Sequence, residues 1–454
     1  MKNTTIAAIA TPHGTGGISV IRISGEESIT ICDKVFCAKS KKSLKDAKTH
    51  TIHYGNIVVS GEVIDEVLVS VMRAPNTFTR EDVVEINCHG GLVVTEKVLL
   101  SVIEAGATLA SPGEFTKRAF LNGRIDLSQA EAVIDIINSP SSLALSVAAN
   151  QLGGALSDDI NSLRDKILEI LAKINVTIDY PEEDIDDVEK EELLQELNKI
   201  KDKIAELLET SQRGKLIRDG INTVICGKPN VGKSSILNLL ARDNRAIVTD
   251  IAGTTRDVIE ERITIGNAVL NVFDTAGIHD TDDTIESLGI DKSKECIKSA
   301  ELVLFVADSV TGIEDEDRQI FSSLDNKNVI VILNKSDVAE CKVDDLFTDL
   351  PVLTLSAKTG KGLDALSETI ENMFKLGKIA AGDNNAITNL RHKEALISAL
   401  SSVSSAISAL SNFVPYDIVS IDLTDAASYL GEITGKTVSE EIVDKIFARF
   451  CLGK

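Results

Sequence analysis

Apolar positions in the first 120 residues come in short runs of period two broken by glycine: IAAIATPHGTGGISVIRISG, YGNIVVSGEVIDEVLVSVMRAP and DVVEINCHGG. Such alternation turns one face of each run toward a core and predicts strands. A helical stretch from Leu92 to Glu104 follows, so residues 1–120 are expected to form an α+β domain. Near Leu121 the period lengthens to that of helices, in QAEAVIDIINS, SLRDKILEILAKINVTIDY and, after Pro181, VEKEELLQELNKIKDKIAELLET. These are long amphipathic helices over residues 121–214. From about Lys215 strands and helices alternate, through INTVICG, AVLNVFD, ELVLFVAD, NVIVILN and PVLTLS, until about Leu376. That rhythm predicts a doubly wound, mostly parallel sheet over residues 215–376. Residues 377–454 are helical again, in RHKEALISALSSVSSAISALSNF and around EEIVDKIFARF. The expected fold is therefore multi-domain: an α+β N-terminal domain, an all-α domain formed from two separated segments, and an α/β domain inserted between them, as insertion is tolerated where chain ends meet at a surface.

The length, 454 residues, agrees with about three domains. Formal charge is −23, which speaks against coating nucleic acid or anionic membrane by bulk attraction. The acid is localised, however. Residues 1–120 carry thirteen basic and thirteen acidic side chains, and residues 377–454 seven and nine. Residues 215–376 carry eighteen and twenty-eight, and residues 181–210 four and twelve. A nucleic-acid partner is therefore expected on the first domain and the C-terminal helices. No uninterrupted apolar stretch reaches the ~18 residues of a spanning helix, and the start, Met1 to Thr5, lacks a signal peptide's features. A cytoplasmic chain with no membrane partner is expected. Seven scattered cysteines without a CxxC pair suggest reduced thiols, and adjacent Cys88 and His89 read as packing rather than metal ligands.

The strand INTVICG runs into Gly227-Lys228-Pro229-Asn230-Val231-Gly232-Lys233-Ser234, a complete GxxxxGKS loop, and then into a helical stretch that opens with Ser235. Strand, glycine loop and helix form the context in which backbone N–H groups cradle phosphates, Lys233 reaches the β and γ oxygens and Ser234 holds Mg²⁺. Forty-one residues after Lys233 comes Asp274-Thr275-Ala276-Gly277, where a carboxylate can hold the metal's outer shell and a glycine can swing toward a γ-phosphate. Sixty residues further stands Asn334-Lys335-Ser336-Asp337. The Asp337 carboxylate can accept from guanine N1–H and its exocyclic amine, which adenine lacks on that edge. GTP is the expected nucleotide, and a dehydrogenase-type dinucleotide fold is excluded. Ser356-Ala357-Lys358 after the last strand fits a loop supporting the base. Between phosphate loop and Asp274 lies Asp250-Ile251-Ala252-Gly253-Thr254-Thr255, preceded by Thr249, where a threonine hydroxyl can reach Mg²⁺ while a γ-phosphate is present. The domain is thus a Ras-like P-loop G domain.

After Gly277 comes Ile278, where a Ras-like protein has a water-positioning glutamine. Isoleucine cannot orient water, so a carboxylate of the downstream acidic loop (Asp280, Asp282, Asp283, Glu286) is the alternative, and chemistry alone does not separate Glu286 from its neighbours. Cys451, the fourth residue from the end, is a nucleophile only where its thiolate is favoured, and Arg449 and Lys454 flank it.

With GKPNVGKS, DIAGTTRD, the inserted α/β domain and the terminal Phe450-Cys451-Leu452-Gly453-Lys454 after LGEITGKTVSEEIVDKIFARF, the whole chain resembles the MnmE (TrmE) family of tRNA-modification GTPases. The resemblance implies an N-terminal folate-binding and dimerising domain (1–120), a helical domain in two parts (121–214 and 377–454, the latter carrying FCLGK) and a G domain (215–376). It implies a homodimer that works with an FAD- and NADH-using partner, MnmG, in a heterotetramer. Together they attach a carboxymethylaminomethyl or aminomethyl group to C5 of wobble uridine 34 in certain tRNAs. The carbon comes from 5-formyl- or 5,10-methylene-tetrahydrofolate. By family match, Asn230, Thr249, Ile251 and Thr254 bind potassium, which can neutralise phosphate charge where no arginine finger is evident. Ser234 and Thr255 bind Mg²⁺, Glu286 orients the water, and Cys451 is placed in the modification chemistry. Arg22, Glu81, Arg124 and Lys454 match positions associated with folate, a glutamate suiting the pterin's amino and N3–H donors and basic groups its carboxylate tails. The rival expectation is a GTP-switched RNA or ribosome-assembly factor without covalent chemistry, against which the terminal FCLGK and the glycine-rich first domain speak.

Overall fold

The computed structural model describes residues 4–179, 187–244, 261–273, 298–324, 327–339, 344–376 and 386–453. The chain divides into two compact units, Met1–Ile134 with Gly431–Lys454, and Asp135–Leu430.

The first unit is built on a seven-stranded sheet in the order β3-β4-β5-β6-β2-β1-β7. Its strands are β1 (Ile6–Ile9), β2 (Ile18–Ser24), β3 (Phe36–Ala38), β4 (Thr51–Val59), β5 (Glu62–Met72), β6 (Val83–His89) and β7 (Thr108–Leu109). All neighbours pair antiparallel except β1 with β7. The alternation seen in the sequence sets one face inward: Ile21, Ile23, Val67, Val69, Val71, Val84 and Ile86 are buried together. Helices α1 (Ser28–Val35) and α2 (Leu92–Glu104) cover them, the latter with Val98, Leu99 and Val102. Two short helices follow, α3 (Glu114–Leu121) and α4 (Leu127–Ile137), the last three residues of α4 falling in the second unit.

The chain's last residues complete this unit. The final helix (Glu440–Phe447) brings Val443, Phe447 and then Phe450 onto Ala119, Ile125, Leu127 and Ala130. Gly113 has φ +70°, and a Cβ there would lie 2.6 Å from the Phe447 carbonyl oxygen, so only glycine admits the approach.

In the second unit the helices are α5 (Ser142–Leu152), α6 (Ala155–Asp179), α7 (Asp187–Asp219), α8 (Lys233–Asn244), α9 (Asp315–Ser322), α10 (Leu363–Met373) and α11 (Leu390–Ser411); α12 (Tyr416–Thr434) crosses the division between the units, and the final helix is α13. By length and mean hydropathy α11 is apolar enough to cross a membrane. Its residues His392, Ala395, Leu396, Ala399, Val403, Ala406 and Leu410 recur at helical spacing and are buried in the fold, where α11 packs on α7.

The unit's sheet has the order β13-β12-β11-β8-β10-β9, from β8 (Ile221–Cys226), β9 (Glu261–Ile265), β10 (Ala268–Phe273), β11 (Leu302–Asp308), β12 (Asn328–Asn334) and β13 (Val352–Thr354). Every pairing is parallel except the edge pair β9 and β10. Seven consecutive buried residues in β11 reflect a strand covered on both faces. After β8 the chain goes to one side for β10 and to the other for β11, which opens a crevice at the carboxyl end of β8.

Candidate GTP site and the cluster at the chain terminus

The crevice is filled by the loop from Gly227 to Gly232, which turns β8 into α8. Three left-handed residues make the turn: Gly227 (φ +143°), Asn230 (φ +65°) and Gly232 (φ +97°). A Cβ on Gly227 would lie 2.1 Å from the Val306 carbonyl oxygen, so β11 can pass this close only beside glycine. Lys233, the first residue of α8, folds over the loop and donates to the carbonyls of Gly227 (2.8 Å) and Lys228 (2.9 Å). Lys228 turns the other way, against Glu314 (2.6 Å) and the fully buried Asp317 (3.1 Å) at the start of α9. Cys226 beneath the loop has its thiol pushed up to about 12 by burial, which makes it a packing group rather than a nucleophile.

Asn334 ends β12 and joins three segments. Its buried amide nitrogen donates to the Val231 carbonyl (2.9 Å), and its oxygen accepts from the Ala357 N–H (3.1 Å). Lys335 (φ +63°) reaches back to the Asn230 carbonyl (3.1 Å) and to Asp308 (2.6 Å). Asp337 accepts from the Ser356 hydroxyl (2.6 Å), and that bond holds its carboxyl below the usual carboxylate range. A cavity of about 470 Å³ opens here, lined by Gly232, Ser235, Asn334, Lys335, Asp337, Ala357 and Lys358, together with Asn238, Leu239, Arg242 and Val338. The phosphate-loop segment Asn230-Val231-Gly232-Lys233-Ser234-Ser235 and the segments carrying Asn334 and Ser356 are thus brought around one cavity. Thr249, Asp250, Ile251, Ala252, Gly253, Thr254, Thr255, Asp274, Thr275, Ala276, Gly277, Glu286 and Lys454 lie outside the described residues.

In the first unit, Arg22 on β2 stands over Phe78 (5.6 Å) and Phe115 (5.7 Å), and Arg124 stands over Phe78 (4.8 Å). Arg22 pairs with Glu85 (2.9 Å) and donates to the Gly453 carbonyl (3.3 Å), so the C-terminal tail ends beside it. Gly453 (φ +88°) lies so close to β1 that a Cβ would sit 2.2 Å from the Ile9 carbonyl oxygen. Glu81 is held at both oxygens by Arg118 (3.2 Å each) and at one by Ser24 (2.7 Å). Arg118 is itself anchored by Glu114 (2.9 Å) and the Thr4 carbonyl (2.8 Å). The arrangement sets two guanidinium groups, Arg22 and Arg124, over one aromatic ring, while the Glu81 carboxylate is engaged by Arg118 and Ser24. Cys451 is exposed, two residues before Gly453, and its carbonyl accepts from the Gly113 N–H (3.4 Å). Cys88 is buried, its Sγ 3.5 Å from the Ser19 carbonyl oxygen, while His89 faces outward to Asp65 (2.7 Å). Consecutive strand residues point to opposite faces, which parts the two.

A model of the GTP-binding protein TrmE N-terminus matches residues 5–124, and a model of the MnmE helical domain matches residues 127–451. A tRNA modification GTPase MnmE of Acetivibrio thermocellus is 48% identical over 459 residues, covering all of both chains. The chain belongs to the MnmE family of tRNA modification GTPases. The Bacillus velezensis MnmE is 47% identical over 99% of this chain and all of its own. Among solved structures, Aquifex aeolicus Era is 27% identical over 40% of this chain and 65% of its own, with a TM-score of 0.27. As a member of the MnmE family the protein is a GTP hydrolase that acts in tRNA modification, with tRNA as its substrate.

Four cavity-lining residues escaped the sequence reading: Asn238, Leu239, Arg242 and Val338. The first three follow Ser235 at intervals of three, four and seven along α8, so helical spacing from the phosphate loop already marks that face. Arg118 and Ser24 carry no such signal. Arg118 reads as one more charge on a short helix, and only the tertiary structure brings it to Glu81.

Proposed function

We propose that this GTPase runs a potassium-stimulated cycle in which paired G domains of a homodimer close in the GTP state and gate the modification of tRNA. With an FAD-dependent partner, MnmG, the protein adds a carboxymethylaminomethyl or aminomethyl group at C5 of wobble uridine 34 in certain tRNAs. The site of this work is the cytoplasm. The observation that carries the reading is the meeting of Arg22 and Arg124 over Phe78, with the C-terminal tail bonded to Arg22 at the Gly453 carbonyl. Glu81 offers acceptor oxygens to the pterin edge of a tetrahydrofolate, in its 5-formyl or 5,10-methylene form, and Arg22, Arg124 and Lys454 offer cations to its carboxylates. Such a folate supplies a one-carbon unit when bound. Cys451, exposed two residues before Gly453, enters the modification chemistry.

In the G domain, Ser234 and Thr255 hold Mg²⁺, and Asn230, Thr249, Ile251 and Thr254 hold potassium. Asn230 is exposed in a left-handed conformation with its carbonyl already bound by Lys335, which leaves its side-chain oxygen as the group offered to the ion. Lys233, with the N-terminus of α8, binds the phosphates, Asp274 and Gly277 respond to the γ-phosphate, and Asp337, supported by Ser356, Ala357 and Lys358, reads guanine. Glu286 orients the attacking water.

Hydrolysis in potassium and in sodium tests the cation: equal rates remove the Asn230 assignment. Glu286→Ala is expected to retain nucleotide binding and to lose ~10²-fold or more in hydrolysis, the scale of a positioned catalytic group. Mass analysis of wobble uridine from cells lacking the protein tests the whole reading, and unchanged modification overturns it. Cys451→Ser with intact tRNA modification removes the thiol from the chemistry while leaving the rest in place.

A further inference from the structure

Residues 39–48, KSKKSLKDAK, hold five lysines against one aspartate, in a chain of formal charge −23. They form an ordered turn between β3 and β4 at the edge of the first unit's sheet. Leu44 is fully buried in the core and pins the middle of the turn. Asp33 fixes its entry, accepting from the Ser43 hydroxyl (2.6 Å) and the Leu44 N–H (2.7 Å), so both of its oxygens are occupied. Arg73 fixes its exit, donating to the carbonyls of Ala47 (3.2 Å) and Lys45 (2.7 Å). Lys39 is neutralised by Glu66 at 3.4 Å. Lys41, Lys42, Lys45 and Lys48 are exposed, and their ammonium groups make no hydrogen bond or ion pair with any described residue. Asp46, exposed among them, is the sole acid of the turn.

Four unneutralised cations held on a rigid turn repel one another, and the fold gains nothing from their placement. A polyanion does. We infer that this turn is a docking surface for the phosphate backbone of tRNA, the family's substrate. The acidic G domain and α7 repel that backbone, so the turn concentrates the attraction where the rest of the chain withholds it. Lysines act there as point charges on phosphates and carry no sequence information, which suits an enzyme that takes several tRNAs. The turn sits beside β3, four strands from β2, so at ~4.8 Å per strand the bound backbone lies ~19 Å across the sheet from Arg22.

The test titrates an unmodified tRNA transcript against the full chain carrying Lys41→Gln, Lys42→Gln, Lys45→Gln and Lys48→Gln. At ~0.1 M salt the Kd is expected to rise at least ~10-fold, and the slope of log Kd against log salt to fall by ~3, for four phosphates at 0.7–0.9 each. A control with Lys166→Gln, Lys173→Gln, Lys199→Gln and Lys298→Gln removes the same charge elsewhere and is expected to stay within ~2-fold. Replacing the four lysines of the turn by arginine keeps the affinity, and GTP hydrolysis without tRNA is unchanged in every variant. A quadruple glutamine variant with unchanged Kd and slope overturns the inference. So do equal losses in patch and control variants, which indicate bulk charge alone, and lost binding to phosphatidylserine vesicles with tRNA binding intact, which indicates a membrane contact.

Discussion

Asn334→Ala removes a side chain that is 2% exposed and bonded at both ends. The substitution leaves the Val231 carbonyl and the Ala357 N–H without their partner at 2.9 and 3.1 Å. A buried polar group left unpaired costs about 1–3 kcal/mol. Ala357 lines the nucleotide cavity and can take a water in place of the lost bond, while Val231 is buried; counting even the lower end of about 1 kcal/mol for each orphaned group, the sum is about 2 kcal/mol. In the free protein the Ser356–Lys358 loop then relaxes away from the phosphate loop, and guanine nucleotide must draw it back. That ordering cost appears in the Kd, and about 2 kcal/mol corresponds to ~30-fold. The assay is titration with a fluorescent guanine nucleotide, together with urea unfolding of the same variant. Weaker binding is expected alongside a lower unfolding midpoint. A Kd within ~3-fold of the parent, whatever the midpoint, would falsify the view that Asn334 ties the two loops into one binding surface.

Lys228→Ala strands the fully buried Asp317 and is expected to destabilise the second unit by about 3 kcal/mol. Adding Asp317→Leu should restore part of the loss, and a double variant no more stable than the single refutes the pairing. Ser356→Ala removes the hydroxyl that holds Asp337 below the usual carboxylate range, so its carboxyl returns toward the ordinary value of ~3.9. A depressed carboxyl contributes what it contributes above its unfolded value and loses it only as pH falls through the folded one. Nucleotide affinity measured at descending pH is therefore expected to decline earlier in the variant than in the parent, and coincident profiles count against the bond. Gly453→Ala sets a Cβ 2.2 Å from the Ile9 carbonyl oxygen at φ +88°. The tail should leave Arg22, seen as faster carboxypeptidase trimming and weaker 5-formyltetrahydrofolate binding; unchanged trimming argues against the seat.

The helix Leu92–Glu104 and the parallel strands of the G domain were legible because long stretches of one period admit one reading. β9 was not. Glu261–Ile265 is five residues of alternating ERITI at a sheet edge, and so short a run carries little periodic signal beside the phosphate and guanine motifs. The GTP motifs were readable because backbone cradles demand glycine and lysine at fixed spacing. Arg118 and the lysine turn were not, since a charge in sequence looks the same whether it is clamped between two glutamates, as Arg118 is, or held unpaired on a rigid loop, as Lys45 is. Partnership is decided by tertiary placement. Asn334 belongs to both cases: its type follows from the motif, while its bond to Val231 does not.

The chain's two ends close one unit, and this sets a timetable for synthesis. Ile134 leaves the ribosome about 300 residues before Gly431, which at 5–20 residues per second is a delay of roughly 15–60 s. Throughout that interval Ala119, Ile125 and Leu127 have no Phe447 or Phe450 to cover them. The nascent unit must survive with an open apolar flank on α3 and α4 until the last helix arrives, so a ribosome that stalls late releases a chain whose first unit, though made first, is still unfinished.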